Sequence, residues 1–152
     1  MAGRTGQPVM RASGFWDTSA LVPLCVRQDI TPRAIELYKS YELVVWWATP
    51  VEIASALACL GRMRQIDSGD YAKARKLAKS LADSWSVIQP SHALRAEAAR
   101  LVDRYDLGAA DCLQLAAALE WCEGIPQGRV FLTADQKLRA AARLSGFDAE
   151  QM

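Results

Sequence analysis

The stretch Gly14-Phe15-Trp16-Asp17-Thr18-Ser19-Ala20-Leu21-Val22 carries one carboxylate in an otherwise apolar segment. Asp17 is the only charged residue between Arg11 and Arg27. Burial of an ionised carboxylate costs free energy unless a cation or several hydrogen bonds compensate it. The stretch therefore predicts a buried polar site that the surrounding apolar residues hold in place.

The same pattern recurs at Glu52, Asp111 and Asp135. Glu52 is the only charged residue from 43 to 61, and Asp111 is the only one from 107 to 119. Each of these acids lies near the expected start of a helix that follows a strand or a turn. Four isolated acids in four apolar segments favour a shared role, and we expect them to converge around a divalent cation.

Three of the four acids also have a simpler interpretation at helix ends. Asp17 is a preferred residue type for the N-cap of the next helix. Glu52 stands three residues after Thr49 and fits a capping box with it. Asp135 lies near the start of the last helix, where an acid stabilises the helix dipole. Each acid taken singly therefore leaves a capping role and a site role open.

Asp111 favours the site interpretation more clearly. The pattern predicts a helix over 107–121, which places Asp111 several residues inside it, and Asp106 is the better-placed cap. Aspartate is a poor helix former away from the cap. An acid on the inward side of a buried helix needs a cation to balance it.

Apolar runs and helical periodicity alternate along the chain, which is typical of an α/β fold with a mostly parallel sheet. We expect a three-layer arrangement in which helices flank a central sheet, within a single domain over 13–152 that follows a flexible leader over 1–12. The predicted strands cover 13–17, 42–47, 85–88 and 129–133. The predicted helices cover 18–28, 31–39, 49–64, 68–84, 91–105, 107–121 and 135–144, with Gly146 as the C-cap of the last.

The bulk composition excludes several classes of site. Among 152 residues there is one histidine, His92, and there are four cysteines without a CxxC pair, which argues against zinc and against serine–histidine catalysis. We expect His92 at a helix start or on the surface, and all four cysteines as buried free thiols (Cys25, Cys59, Cys112 and Cys122). No apolar run is long enough to cross a bilayer, so we expect a cytoplasmic protein.

Oxygen ligands without an available histidine point to a hard cation, Mg²⁺ or Mn²⁺. A cation held by several carboxylates and waters suits hydrolysis of a phosphodiester bond, because it activates water and neutralises phosphate charge. With the four acids counted as part of the site, the rest of the chain is mildly basic, which is compatible with a phosphate-bearing substrate.

Four blocks together resemble the conserved blocks of PIN-domain nucleases, most of all the VapC-type toxins of bacterial toxin–antitoxin modules. They are FWDTSALVPL, TPVEIASAL, LGAADCLQLAAAL and VFLTADQKLRAAA, and they occur in the family's order. The resemblance implies an Mg²⁺- or Mn²⁺-dependent endoribonuclease, commonly a homodimer, that a cognate antitoxin silences.

By this resemblance the acidic quartet falls on Asp17, Glu52, Asp111 and Asp135. Asp17 and Asp111 are expected to bind the metal most directly, and the other two acids to complete its ligands, directly or through water, and to orient the nucleophile. The accompanying hydroxyls fall on Ser19 and Thr133, which are expected to hydrogen-bond the carboxylates or a metal-bound water.

Basic residues between 62 and 79 are candidates for RNA contacts, although a solvated helix face explains them equally well. They are Arg62, Arg64, Lys73, Arg75, Lys76 and Lys79. Trp46 and Trp47 are candidates for stacking on bases, with one of the pair expected in the core.

The alternatives to a toxin are a PIN nuclease of RNA processing, a catalytically silent PIN-like binding module and a phosphoacceptor receiver domain. A receiver domain normally has two adjacent acids where this chain has Trp16-Asp17, which argues against that alternative.

Overall fold

The structure, a computed structural model, describes residues 10–152 of the chain. Within this range strands and helices alternate in the order β1 (Ala12–Trp16), α1 (Thr18–Cys25), α2 (Thr31–Ser40), β2 (Tyr41–Trp46), α3 (Thr49–Arg62), α4 (Ser68–Ala82), β3 (Ser86–Ile88), α5 (His92–Arg104), α6 (Ala109–Trp121), β4 (Val130–Leu132) and α7 (Gln136–Ser145). The predicted leader over 1–12 lies mostly outside the described residues, and it stays a prediction together with the single domain over 13–152.

The four strands form one parallel sheet in the order β3-β2-β1-β4. Successive strand residues point to opposite faces. Phe15 and Val44 pack into a core with α5, α6 and α7, whereas Trp16 and Val45 pack into a second core with α1, α3 and α4. The helices therefore cover both faces of the sheet, which confirms the predicted three-layer α/β fold.

The order of the strands determines where a site can form. The chain leaves β1 towards β2 on one side, and β4 returns to the other side of β1. In open parallel sheets a crevice opens at the carboxyl ends of the strands where the order reverses. Asp17 follows β1 directly and Thr133 follows β4 directly, so both residues lie at that crevice.

The outer side of β4 is covered by the end of the chain. Gly146 ends α7 in the left-handed region with φ of 109°, as its predicted role as C-cap requires. The chain then turns back, so that Phe131 N donates to Asp148 O at 2.9 Å and Asp148 N donates to Arg129 O at 2.9 Å. These bonds occupy backbone groups that an edge strand otherwise leaves free.

The predictions for the cysteines and His92 are confirmed only in part. All four cysteines are free, but Cys59 is exposed on α3, because its position faces away from the sheet, and the prediction that it is buried is wrong. His92 is exposed as the first residue of α5, and the N-cap is Ser91, which accepts from Leu94 N. Among residues 10–152, no helix combines the length and the apolar character that a membrane span requires.

Candidate active site

Asp17 follows β1 at the carboxyl end of the sheet and is almost fully buried, with 4 % of its surface exposed. Its side chain caps α1 by accepting from Ser19 N at 3.3 Å. The same oxygen, Oδ2, accepts from the hydroxyls of Ser19 and Thr133, the latter at 2.9 Å. Burial raises the pKa of Asp17, and these hydrogen bonds oppose the rise. Asp17 therefore does cap α1, a role that the sequence left open, and it also lies at the end of the sheet where a site can form.

The loop between β4 and α7 is fastened to the start of α1 by the same hydroxyls. Ser19 Oγ accepts from Ala134 N at 2.9 Å, and Thr133 Oγ1 accepts from Asp135 N at 3.1 Å. Asp135 is itself the N-cap of α7, because its Oδ1 accepts from Leu138 N at 2.8 Å. The network fixes the exposed carboxylate of Asp135 at the rim of the crevice.

Glu52 does not form the capping box that its spacing from Thr49 allows. The N-cap of α3 is Ala48, and the buried hydroxyl of Thr49 has no hydrogen-bond partner among the described residues. Glu52 instead reaches across to α1 and α6, where it accepts from Thr18 Oγ1 at 3.1 Å and from Gln114 Nε2 at 3.2 Å. Burial raises the pKa of Glu52, the two hydrogen bonds oppose this, and the charge of Asp17 adds to the rise.

Asp111 lies in the first turn of α6, and the expectation that it stands deeper in the helix is wrong. The helix begins at Ala109 with Gly108 as its N-cap, since Gly108 is still extended. Asp106, the expected cap, forms an exposed ion pair with Lys137 at 3.0 Å. A first-turn acid is compatible with the helix dipole, so the argument from helix propensity loses its force for Asp111.

The pKa of Asp111 depends on the charges of the three other acids. Its pKa is raised to about 6, first by burial and then by the charges of Asp17, Asp135 and Glu52. Charges that raise the pKa of a neighbouring carboxyl in this way belong to its electrostatic surroundings, and a divalent cation bound there would offset them. The fold therefore brings the four sequence-predicted acids to one end of the sheet.

The donor set fits a hard cation in its chemistry, because every candidate ligand is a carboxylate or hydroxyl oxygen. Within residues 10–152, however, no three His, Cys, Asp or Glu side chains already lie close enough together to hold a metal ion. Hydrogen bonds hold oxygens of Asp17, Glu52 and Asp135 in their present positions. A bound cation would have to draw these oxygens together.

Sequence reasoning missed Gln114 and Thr18. Gln114 is fully buried, and its Nε2 donates to both carboxylate oxygens of Glu52 and to Thr18 Oγ1. A buried amide costs free energy unless it is hydrogen-bonded, so a lone glutamine in the apolar run 112–119 was the available signal. Thr18 follows Asp17 directly and offered no signal of its own.

The basic candidates occupy the exposed side of the α3–α4 hairpin. Lys76 and Lys79 line a groove beside Pro50, at the end of α3 that carries Glu52. Arg62 lies at the opposite end of α3, about 15 Å further along the axis by the rise per residue. Arg64 and Lys73 are exposed but do not line this groove.

Comparison with known proteins agrees with this architecture. The crystal structure of PAE2754 from Pyrobaculum aerophilum is 24% identical over 92% of this chain and 90% of that chain, with a TM-score of 0.62. A toxin–antitoxin complex from Klebsiella pneumoniae is 17% identical over 84% and 91%, with a TM-score of 0.61. FitAcB from Neisseria gonorrhoeae is 16% identical over 88% and 96%, with a TM-score of 0.60. At these identities the likeness concerns the fold.

No curated protein matches the chain in sequence. A model of the PIN domain family, by contrast, matches residues 15–144. This range begins within β1, ends within α7 and includes all four acids at the end of the sheet. With the family's sequence pattern matched over that range and its fold observed, the chain belongs to the PIN domain family.

Proposed function

We propose that this protein is a metal-dependent endoribonuclease that hydrolyses phosphodiester bonds of RNA with Mg²⁺ or Mn²⁺. The observation that supports the proposal most is the match to the PIN domain family over residues 15–144, a range that includes all four acids at the end of the sheet. Four like charges held in one crevice store repulsion that a divalent cation relieves. When bound, such a cation activates water for attack and neutralises charge on the phosphate.

Each side chain has a defined role in this proposal. Asp17 and Asp111 bind the metal directly, and Glu52 and Asp135 complete its ligands, directly or through water, and orient the nucleophile. Ser19 and Thr133 hold the carboxylate of Asp17, and Gln114 with Thr18 holds that of Glu52.

The basic residues contact the RNA. Lys76 and Lys79, with Arg75 beside them, contact the phosphates that flank the bond to be cleaved. Arg62, Arg64 and Lys73 contact the RNA further away.

The first test of the function is direct. Purified protein should cleave RNA with Mn²⁺ or Mg²⁺, lose this activity in excess EDTA, and regain it when the metal is added back. Gel electrophoresis of end-labelled RNA measures the cleavage. Cleavage that persists in EDTA, or intact RNA with both metals, would contradict the proposal.

We also propose that the protein is a homodimeric toxin of a toxin–antitoxin module, with an antitoxin that covers the crevice. A toxin–antitoxin complex is among the solved structures with a similar fold, which supports this assignment. Expression of the chain alone should then arrest growth, and Asp17→Asn should relieve the arrest. Growth that continues at full rate while RNA is cleaved in vitro would favour a role in RNA processing instead.

The proposed role of Gln114 makes a separate prediction. Gln114→Met keeps the length of the side chain but removes both hydrogen bonds to Glu52, so the carboxylate loses its orientation. We expect the affinity for Mn²⁺, measured by titration calorimetry, to fall by about tenfold, as for other groups that orient metal ligands. Gln65→Met, at an exposed position, is the matched control. Equal Mn²⁺ affinity in the two variants would remove Gln114 from the site.

A further inference from the structure

A cavity of about 440 Å³ opens at the carboxyl end of the sheet, on the side of β2 and β3. It lies between the end of β2, the start of α5 and the first half of α6. Its walls include Trp46, Pro90, His92, Leu94, Arg95 and Leu113.

This cavity and the four acids lie at the same edge of the sheet. Trp46 ends β2, the neighbour of β1, and β1 leads directly to Asp17. On α6, Leu113 immediately precedes Gln114, whose amide donates to Glu52. A chain of nucleotides with one phosphate at the acids can therefore extend towards the cavity without leaving this edge of the sheet.

Trp46 lines the cavity, and Trp47 follows it directly in the chain. Trp46 is buried. Trp47 is 54 % exposed, its ring meets that of Trp46 edge to face at 6.4 Å, and its backbone N donates to Ile88 O at 3.1 Å. The exposed ring is thus held by the sheet itself.

The opposite wall is cationic. The guanidinium of Arg95 donates to Nδ1 of His92 at 3.1 Å, one turn back along α5. Within the part of the chain that the structure describes, no carboxylate forms an ion pair with Arg95, unlike Arg100 on the same helix, which pairs with Glu97. Arg95 therefore keeps its charge available to an anion, and its flat guanidinium is suited to stacking on a base.

We propose that this cavity binds one unpaired base of the RNA, next to the phosphate that the acids receive. Proteins recognise single-stranded RNA by stacking splayed-out bases on aromatic rings and guanidinium planes. Here the exposed ring of Trp47, beside the cavity, stacks on the base, and Arg95 in the cavity lining contacts the adjoining phosphate. The inference rests on the proposed nuclease function and adds a site that selects an unpaired nucleotide.

The test separates binding from cleavage by using Asp17→Asn as the parent protein. Fluorescence anisotropy measures its affinity for a labelled single-stranded oligoribonucleotide and for an abasic chain of the same length. We expect Trp47→Ala to weaken binding of the base-bearing RNA by about tenfold, the scale of one lost base–aromatic stack. The abasic chain should bind almost equally to parent and variant, because it offers phosphates but no base.

Two further variants test the role of Arg95. Arg95→Ala should weaken binding of both chains, whereas Arg100→Ala, its matched control on α5, should leave both affinities unchanged. With Asp17 intact, Trp47→Ala should raise KM and leave kcat largely unaltered.

The outcomes distinguish the two proposals. If the parent binds RNA but Trp47→Ala binds it as tightly as the parent does, the base site is overturned and the nuclease proposal stands. Equal losses for base-bearing and abasic chains would also overturn the base site, because they indicate phosphate contacts alone. If the parent binds no RNA and the wild type cleaves none, both proposals fail.

Discussion

Asp17→Asn is expected to abolish RNA cleavage, with a loss on the order of a thousandfold or more, while the protein still folds. A catalytic metal supplies several kcal/mol of transition-state stabilisation, and about 4 kcal/mol corresponds to a thousandfold in rate. Asparagine keeps an oxygen to cap α1, since it is as good an N-cap as aspartate. It lacks the charge that the metal requires. Cleavage of end-labelled RNA and thermal unfolding followed by circular dichroism measure the two properties.

The unfolding temperature of Asp17→Asn without metal tests whether the buried charge of Asp17 destabilises the protein. Burial raises the pKa of Asp17, so its ionised form destabilises the metal-free protein at neutral pH. We therefore expect Asp17→Asn to unfold at the same temperature as the wild type or a higher one when EDTA is present. The control is Asp67→Asn, because Asp67 caps α4 in the same way but lies outside the site. Undiminished cleavage by Asp17→Asn would refute the assignment of Asp17.

The second large effect is a dependence of stability on pH that reverses when metal binds. The pKa of Asp111 is about 6 in the folded protein and near 3.8 in the unfolded chain. Between these two values the folded state binds more protons, so the free energy of unfolding falls as the pH rises. In EDTA, the unfolding temperature should therefore decrease from about pH 5 to about pH 7, with the loss complete above the folded pKa.

A divalent cation should reverse this trend, because it binds only the ionised carboxylates. With Mn²⁺ in excess, the metal-dependent rise in unfolding temperature should be largest above about pH 6 and shrink below it. Asp111→Asn should weaken both dependences, with the remainder due to Asp17 and Glu52, whose pKa values are also raised. Asp106→Asn, an exposed acid close in sequence, should leave them unchanged. An EDTA profile that is identical in wild type and Asp111→Asn would show that Asp111 does not titrate in this range.

The sequence was most informative where a charge interrupts an apolar segment. The fold class follows from the alternation of β-branched runs with helical periodicity, and the parallel sheet confirms it. Isolation in apolar surroundings marked Asp17, Glu52, Asp111 and Asp135, because a buried charge has few roles open to it. Their convergence rests on the strand order, which no local pattern encodes. Their catalytic roles remain predictions until the variants are measured.

Two of the differences from the sequence-based expectations lie at helix starts, where several residue types compete. Asp106 and Gly108 are both suitable caps for α6, and the choice of Gly108 moves Asp111 into the first turn. Thr49 and Glu52 have the spacing of a capping box, yet Glu52 bonds to Thr18 and Gln114 on other helices. Tertiary contacts decided both cases, and they are invisible to a reading of neighbours along the chain.

The backbone bonds between Asp148 and the strand β4 limit how this molecule can associate with copies of itself. An uncovered outer strand is a template on which a second chain can add a strand of its own. In this fold that growth is blocked at one side of the sheet, and the other side ends in β3, only three residues long. Helical surfaces are therefore favoured over strand addition as contacts between copies, and a chain cut before Phe147 should be prone to aggregation.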